Sequence, residues 1–512
     1  MPGQQQRRKV LLIGLDAAES TLLQAGMDGG TLPVLGRLRR DGAWGIVASP
    51  AGFGSGAVWP SFATGVSPAK HGRYFYRQVH AGDYAARYFE ATEFRATPLW
   101  ERLSAAGRAV AVFDVPKMGL STDIDGIMAV DWIAHGGVYG KLHAVPEAFA
   151  DELTRRFGTD PLPKCDLPGM RSVDEHRLLL RQLHDRIGQR ERCTRHYLAE
   201  RDWDLFVTVF AEPHCVGHQA WHVRDRNHPL HDAAALATLG DPVLDVYRAI
   251  DASIGRMIAG VDDDTTVIVF SGTGMGPNYT GNYLLDEVLR RIDGIAATRR
   301  ASLVRSLKLR AKRVMPREVR RRARPLKRRV EEAAQSGDRA RRRSFAVPHN
   351  DITGAVRLNI AGREPNGILR PEEVVGFVDK LRAELMALRN ADTGGPVVER
   401  VVRVADESSG PHLDDLPDLF VMWHRDAPID RVQSPTVGTV EYVHRGNRTG
   451  DHRQDSMFVA VGPGVVPGEI AGTTVYDFAP TLGAILGVPV DDTDGTEITA
   501  LLPRRDPDVV PA

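Results

Sequence analysis

The chain has 512 residues, 42% hydrophobic and 26% charged, the composition of a soluble globular protein long enough for a large α/β core with insertions. Lys+Arg 66 balances Asp+Glu 66, which excludes a global field that steers polyanions. Three cysteines (Cys165, Cys193, Cys215), odd in number and without a CxxC, argue against a disulfide framework and fit a reducing, cytoplasmic location; no run of about 18 apolar residues predicts a transmembrane helix, and Asp16 interrupts the first apolar run too early for a signal segment.

Residues 10–15 (VLLIGL) are continuously apolar, as in a strand buried on both faces, and end at Asp16. Ligands gather at the carboxyl ends of strands in open α/β sheets, so Asp16 is a candidate metal ligand; a helix cap is the alternative. Residues 31–45 read as a packing helix and then a turn. In the stretch 55–72 (SGAVWPSFATGVSPAKHG), Ser55 lies among Gly52, Gly54, Gly56 and Ala57 ahead of a helix. Small residues there let backbone N–H groups approach an anion, and the helix dipole favours negative charge. A serine so placed can attack a phosphorus or sulfur centre while amides hold the oxyanion, or it can simply cap the helix.

Residues 97–107 read as a helix, and 109–113 and 127–132 as buried strands. The last leads to His135, either a substrate contact or an ordinary core or surface histidine. Helices over 147–157 and 174–200 lie outside the sheet; His176, His184 and His196 on the second are assigned no role. Residues 204–210 (DLFVTVF) predict another buried strand, followed by Glu212-Pro213-His214-Cys215-Val216-Gly217-His218. Two imidazoles four residues apart on a helix can share one metal ion. Cys215 is either a soft ligand or a small buried hydrophobe. A helix over 243–261 and a strand over 265–270 lead into a glycine-rich loop, 271–277, on the same sheet edge.

Residues 299–343 are crowded with arginine and lysine, with a local charge of about +15. The stretch is either a surface for an anionic partner (lipid, nucleic acid or polyanionic substrate) or a solvated insertion. A strand over 353–360, a turn over 362–367 and a helix over 371–388 suggest a small α+β subdomain. Then come a strand over 419–423, a polar loop over 445–452 carrying His452, a strand over 457–461 and a final helix over 475–486. The expected organisation is a first part of the core (1–298), a basic helical or disordered insertion (299–345), an α+β subdomain (346–400) and the rest of the core (401–512). The fold class is α/β: a doubly wound, mostly parallel sheet with helices on both faces and a small α+β insertion.

These motifs, in this order, resemble the alkaline phosphatase superfamily, in particular its type I phosphodiesterase/nucleotide pyrophosphatase branch. Counting back from Thr64-Gly65 places the branch's nucleophile at Ser55. Its pattern Glu-Pro-Asp-x-x-Gly-His is similar to residues 212–218, with His214 in the aspartate position. Its first-strand metal aspartate corresponds to Asp16. Its late metal histidine corresponds to His452, with His444 the second choice. The ending Asp477-Phe478-Ala479-Pro480-Thr481-Leu482 through Asp494-Gly495 fits as well. One departure stands out: where the family carries Asp-His-Gly-Met, this chain has Gly272-Thr273-Gly274-Met275.

The resemblance implies one metal site of His214, His218 and His452, and three neutral imidazoles suit Zn²⁺. The second site keeps only Asp16 and Ser55, so a second ion is absent, weakly held or completed by other groups. The implied activity is metal-dependent hydrolysis of a small anionic phosphate ester through a phosphoseryl intermediate on Ser55. The alternative is a degenerate member that binds an anionic ligand or partner without turnover, or transfers a sulfate or phosphoryl group. Substrate-contacting residues are not specified.

Overall fold

Leu11, Ile13 and Leu15 of the first strand, Lys9–Leu15, join one apolar cluster, while Val10 and Leu12 join another on the opposite face. Both faces of the strand are therefore buried, which is what its continuous apolar run requires. In this computed structural model, which describes residues 8–166, 169–295, 335–350, 352–443 and 446–502, that strand lies inside a ten-stranded sheet. The order runs Gly468–Glu469, Ala43–Ala48, Asp455–Val461, Thr265–Phe270, Lys9–Leu15, Leu205–Phe210, Val110–Phe113, Gly126–Val130, His143–Val145, with Thr473–Thr474 beside Ala43–Ala48. The five strands from Thr265–Phe270 to Gly126–Val130 are parallel to one another.

One face of the sheet packs apolar side chains of Ser20–Asp28, Pro33–Asp41, Val173–Glu200 and Pro242–Ile258. The other packs those of Ser55–Thr64, Leu99–Ala105 and Phe478–Ile485. This is the doubly wound, mostly parallel arrangement expected from alternating strands and helices.

The chain divides into two units: Met1–Arg73, Glu90–Asn278 and Arg445–Ala512 form the first, which contains this sheet, and Tyr74–Phe89 with Tyr279–His444 forms the second. The second unit has a four-stranded antiparallel sheet in the order Ser344–Ala346, Thr353–Leu358, Leu419–Trp423, Val398–Arg403. Helices Asn282–Ile292 and Val374–Met386 share its apolar cluster.

Four expectations need correction. The α+β part is larger than 346–400, because Leu419–Trp423 pairs with Thr353–Leu358 and Val398–Arg403 rather than returning to the core sheet. The turn expected to follow the helix within residues 31–45 is replaced by the start of the strand Ala43–Ala48, antiparallel to Asp455–Val461. Its glycine marks close approach, not a turn: a Cβ on Gly45 would lie 2.2 Å from the Ile470 carbonyl oxygen. The loops expected at 271–277 and 445–452 contain paired strands, Gly274–Pro277 and Gly450–Arg453. Their small and polar residues carry no apolar alternation from which a strand could be read. Most of the basic stretch expected at 299–345, up to residue 334, falls outside the described residues. Among the described residues, no helix is long and apolar enough to cross a membrane.

Candidate active site

Ser55 is the first residue of the helix Ser55–Thr64, whose ten residues are all buried. The N-cap is Gly54, in an extended conformation, so the capping role is not Ser55's. The helix stops at Gly65, whose left-handed φ of 72° is a conformation glycine adopts without strain. The Ser55 hydroxyl lies 3.4 Å from His452 Nε2.

The helix Glu212–Arg224 starts directly after the strand Leu205–Phe210 and is buried through Val223. His214 and His218 stand one turn apart on one face of it. His452 comes from the strand Gly450–Arg453, and two glycines let this strand and its partner Gly274–Pro277 approach the helix. A Cβ on Gly450 would lie 2.1 Å from the Gly217 carbonyl oxygen, and one on Gly217 would lie 2.6 Å from Met275 Cγ. Backbone bonds tie the contact: Thr449 N–H donates to the His218 carbonyl at 2.8 Å.

His218 Nδ1 donates to the Gly450 carbonyl at 2.7 Å, which fixes its neutral tautomer and leaves the Nε2 lone pair facing His452. The two Nε2 atoms are 3.2 Å apart. Imidazole nitrogens bound to one tetrahedral zinc ion at about 2.0–2.1 Å sit about 3.3 Å apart, so the spacing fits. His214 completes the group, its ring centroid 4.5 Å from that of His218 and 4.9 Å from that of His452. Ligand-type atoms of all three lie within 4.8 Å of one another.

Burial first, then the neighbouring imidazoles and Arg448, hold His214 well below the usual histidine range; burial, Arg448 and His452 do the same for His218. Neutral rings are the metal-ligating form. His214 Nδ1 is buried without a hydrogen-bond partner, an arrangement that costs stability unless something else satisfies the cluster. The donor set therefore fits a divalent ion of the zinc type.

The sequence matches the Type I phosphodiesterase / nucleotide pyrophosphatase family over residues 10–393, three quarters of the chain. The chain belongs to that family. The family comprises metal-dependent hydrolases of phosphate esters within the alkaline phosphatase superfamily. The fold is similar to that of phosphonoacetate hydrolase from Sinorhizobium meliloti 1021, solved with phosphonoacetate (TM-score 0.54, 14% identity, 92% of this chain and 94% of that one). It is also similar to murine ectonucleotide pyrophosphatase/phosphodiesterase 5 (TM-score 0.50, 12% identity, 97% of this chain and all of that one). No curated protein matches the sequence.

The first-strand aspartate and the Gly272-Thr273 loop lie in the same unit as the three histidines. Asp16 sits at the end of the first strand, its N–H bound to the Phe210 carbonyl at 2.9 Å. Its carboxylate accepts the Trp59 indole N–H at 2.9 Å. Burial pushes this carboxyl up, and the Trp59 bond, Lys117 and His135 pull it back. Among the described residues, Asp16 belongs to none of the clusters of three or more ligand-type side chains.

A Cβ on Gly272 would lie 2.3 Å from Val58 Cγ1, so Val58 fills the space a side chain would need. Gly272→Ala is expected to destabilise the protein by about 1–3 kcal/mol through overpacking, and Gly272→Asp to add no bound ion. Thermal unfolding and metal analysis check both; an unchanged midpoint for Gly272→Ala, or an extra ion with Gly272→Asp, contradicts this reading.

The structure thus brings Ser55, His214, His218 and His452 together and leaves Asp16 on Trp59. His444, the second choice for the late histidine, is outside the described residues. Sequence reasoning missed one convergence. Cys165 Sγ and Cys215 Sγ lie 2.9 and 3.5 Å from His135 Nδ1, and the His135 ring centroid is 4.1 Å from that of His214. Only the neighbouring positions His214-Cys215 hinted at it; Cys165 and His135 carry no spacing signal.

Proposed function

We propose that this chain is a phosphoric ester hydrolase in which Ser55 is the nucleophile and His214, His218 and His452 hold one zinc ion. The observation that carries the reading is the 3.4 Å approach of the Ser55 hydroxyl to His452 Nε2, itself 3.2 Å from His218 Nε2. A divalent ion on these imidazoles supplies Lewis-acid stabilisation of charge building on the phosphoryl group. Ser55 Oγ forms the new bond to phosphorus, and the alcohol of the ester leaves. The positive end of the Ser55–Thr64 helix favours the phosphoryl oxygens at this point. Water then breaks the seryl–phosphate bond and releases phosphate, regenerating the hydroxyl. His218, locked by Gly450, keeps the imidazole set oriented throughout.

A phosphorus oxyanion as substrate is supported by the family and by relatives of similar fold solved with phosphonoacetate and with AMP. The test is a panel of phosphomonoesters, phosphodiesters and sulfate esters, with chelation and metal add-back. Turnover of a phosphate ester that chelation abolishes and zinc restores is expected. Turnover confined to sulfate esters, or indifferent to chelation, contradicts the reading.

A second reading draws on Val58 filling the space beside Gly272: a member that binds an anion without turnover. Phosphate binding that survives Ser55→Ala, with no ester cleaved, would favour it.

A further inference from the structure

We propose that Cys165, Cys215 and His135 form a second metal-binding site, for a thiophilic divalent cation such as Zn²⁺, directly beside the three-histidine cluster. None of these donors belongs to the hydrolase site proposed above, so the inference does not rest on that reading.

Both sulfurs approach the same ring nitrogen, Cys165 at 2.9 Å and Cys215 at 3.5 Å. A neutral imidazole offers one lone pair, so two thiols cannot both donate into it well. A cation satisfies all three at once. Sulfur and nitrogen ligands on one tetrahedral zinc sit about 3.5 Å apart, given bond lengths of about 2.3 and 2.0 Å. The Cys215 contact matches that spacing, and the Cys165 contact needs an opening of about 0.6 Å. Both cysteines are buried and reduced. A fourth donor outside the three-histidine cluster is at hand: Asp166 groups with His135 and Cys165, all within 4.8 Å.

The surroundings position these donors firmly. The Asp114 carboxylate accepts the N–H groups of Trp132 and Ile133 at 2.9 and 3.0 Å and pairs with buried Arg190, which fixes the segment leading to His135. Arg186, 2% exposed, binds the Ala134 carbonyl at 3.4 Å, the Leu162 carbonyl at 2.7 Å and the Asp160 carboxylate. One guanidinium therefore ties together the segments bearing His135 and Cys165. Its Nη1 also points at Cys215 Sγ, 3.7 Å away. An N–H directed at sulfur from a permanent cation supports a thiolate and is typical of the outer shell of a metal site. The chain would then hold two neighbouring ions by donors unrelated to the Gly272-Thr273 position.

The test uses the full chain, purified under reducing conditions and loaded with Co²⁺ in place of zinc. Expected are two bound ions and a thiolate-to-cobalt charge-transfer absorption in the near ultraviolet. Cys165→Ser and Cys215→Ser should each lose that absorption and one ion. His452→Ala should lose the other ion and keep the absorption. His135→Asn, at a half-exposed position, provides a variant less prone to misfolding and should lose the absorption as well. Thiol labelling of native protein should expose Cys165 and Cys215 only after chelation. Cobalt-loaded wild-type protein without charge-transfer absorption overturns the proposal. So does a Cys165–Cys215 disulfide that, once reduced, binds no ion. Failure of the three-histidine reading would appear separately, as retention of both ions in His452→Ala.

Discussion

Ser55→Ala lowers phosphate ester cleavage by about 10³-fold or more while the protein stays folded and keeps its ion in the three-histidine cluster. The size follows from the role: without the hydroxyl no seryl–phosphate bond can form, and only residual electrostatic catalysis remains. The substitution removes one oxygen at the first position of a helix whose N-cap is Gly54, so the cap is untouched. The cost in stability should stay within about 1 kcal/mol. Steady-state kinetics with metal analysis of the same sample checks both halves. Turnover near the wild-type rate would remove Ser55 from the mechanism.

His218→Ala is expected to lose both turnover and that ion. It deletes the donor whose tautomer is fixed by Gly450 and leaves His214 and His452 without their central partner. Turnover should again fall by about 10³-fold. Here the ion is lost, whereas Ser55→Ala retains it, so metal content separates a nucleophile from a ligand.

The same histidines dictate a pH dependence in the chelated protein. His214 and His218 have folded-state pKa values well below the usual 6.5. Below about pH 6.5 the unfolded chain takes up protons that the folded chain refuses, so stability is complete above that pH and falls as pH drops through the window beneath it. The slope is about 1.4 kcal/mol per pH unit for each such histidine. Urea unfolding at a series of pH values should show this slope, and His218→Ala should reduce it. A flat profile between pH 7.5 and 5.5 would contradict the buried, neutral assignment.

The elements readable from the sequence are those whose pattern is self-contained. Residues 10–15, 204–210 and 265–270 are apolar throughout because both sheet faces are covered, and each is a strand in the central sheet. Leu419–Trp423 shows the limit: its apolar run announces a strand, but nothing in it names its partners, which lie in the second unit. Gly274–Pro277 and Gly450–Arg453 carry no strand signal because their glycines and polar residues make no apolar alternation; Gly450 is there for close approach to the helix of His214 and His218.

The candidate site divides in the same way. His214 and His218 were legible because a helix turns a four-residue spacing into neighbourhood. His452 and Ser55 could be tied to them only through a family resemblance, since their contact joins residues 397 positions apart. The meeting of Cys165 with His135, which the sequence offers only as a substrate contact or an ordinary histidine, escaped: the loops that carry them are brought together by Arg186, and buried guanidinium contacts leave no periodic trace in sequence.

Crystals of the zinc-loaded protein, with an anomalous difference map collected at the zinc edge, test the central claim most directly. A peak about 2.0–2.1 Å from ring nitrogens of His214, His218 and His452, with the Ser55 hydroxyl facing it, is the predicted result. A map in which zinc is bound elsewhere and these three rings carry none would contradict it.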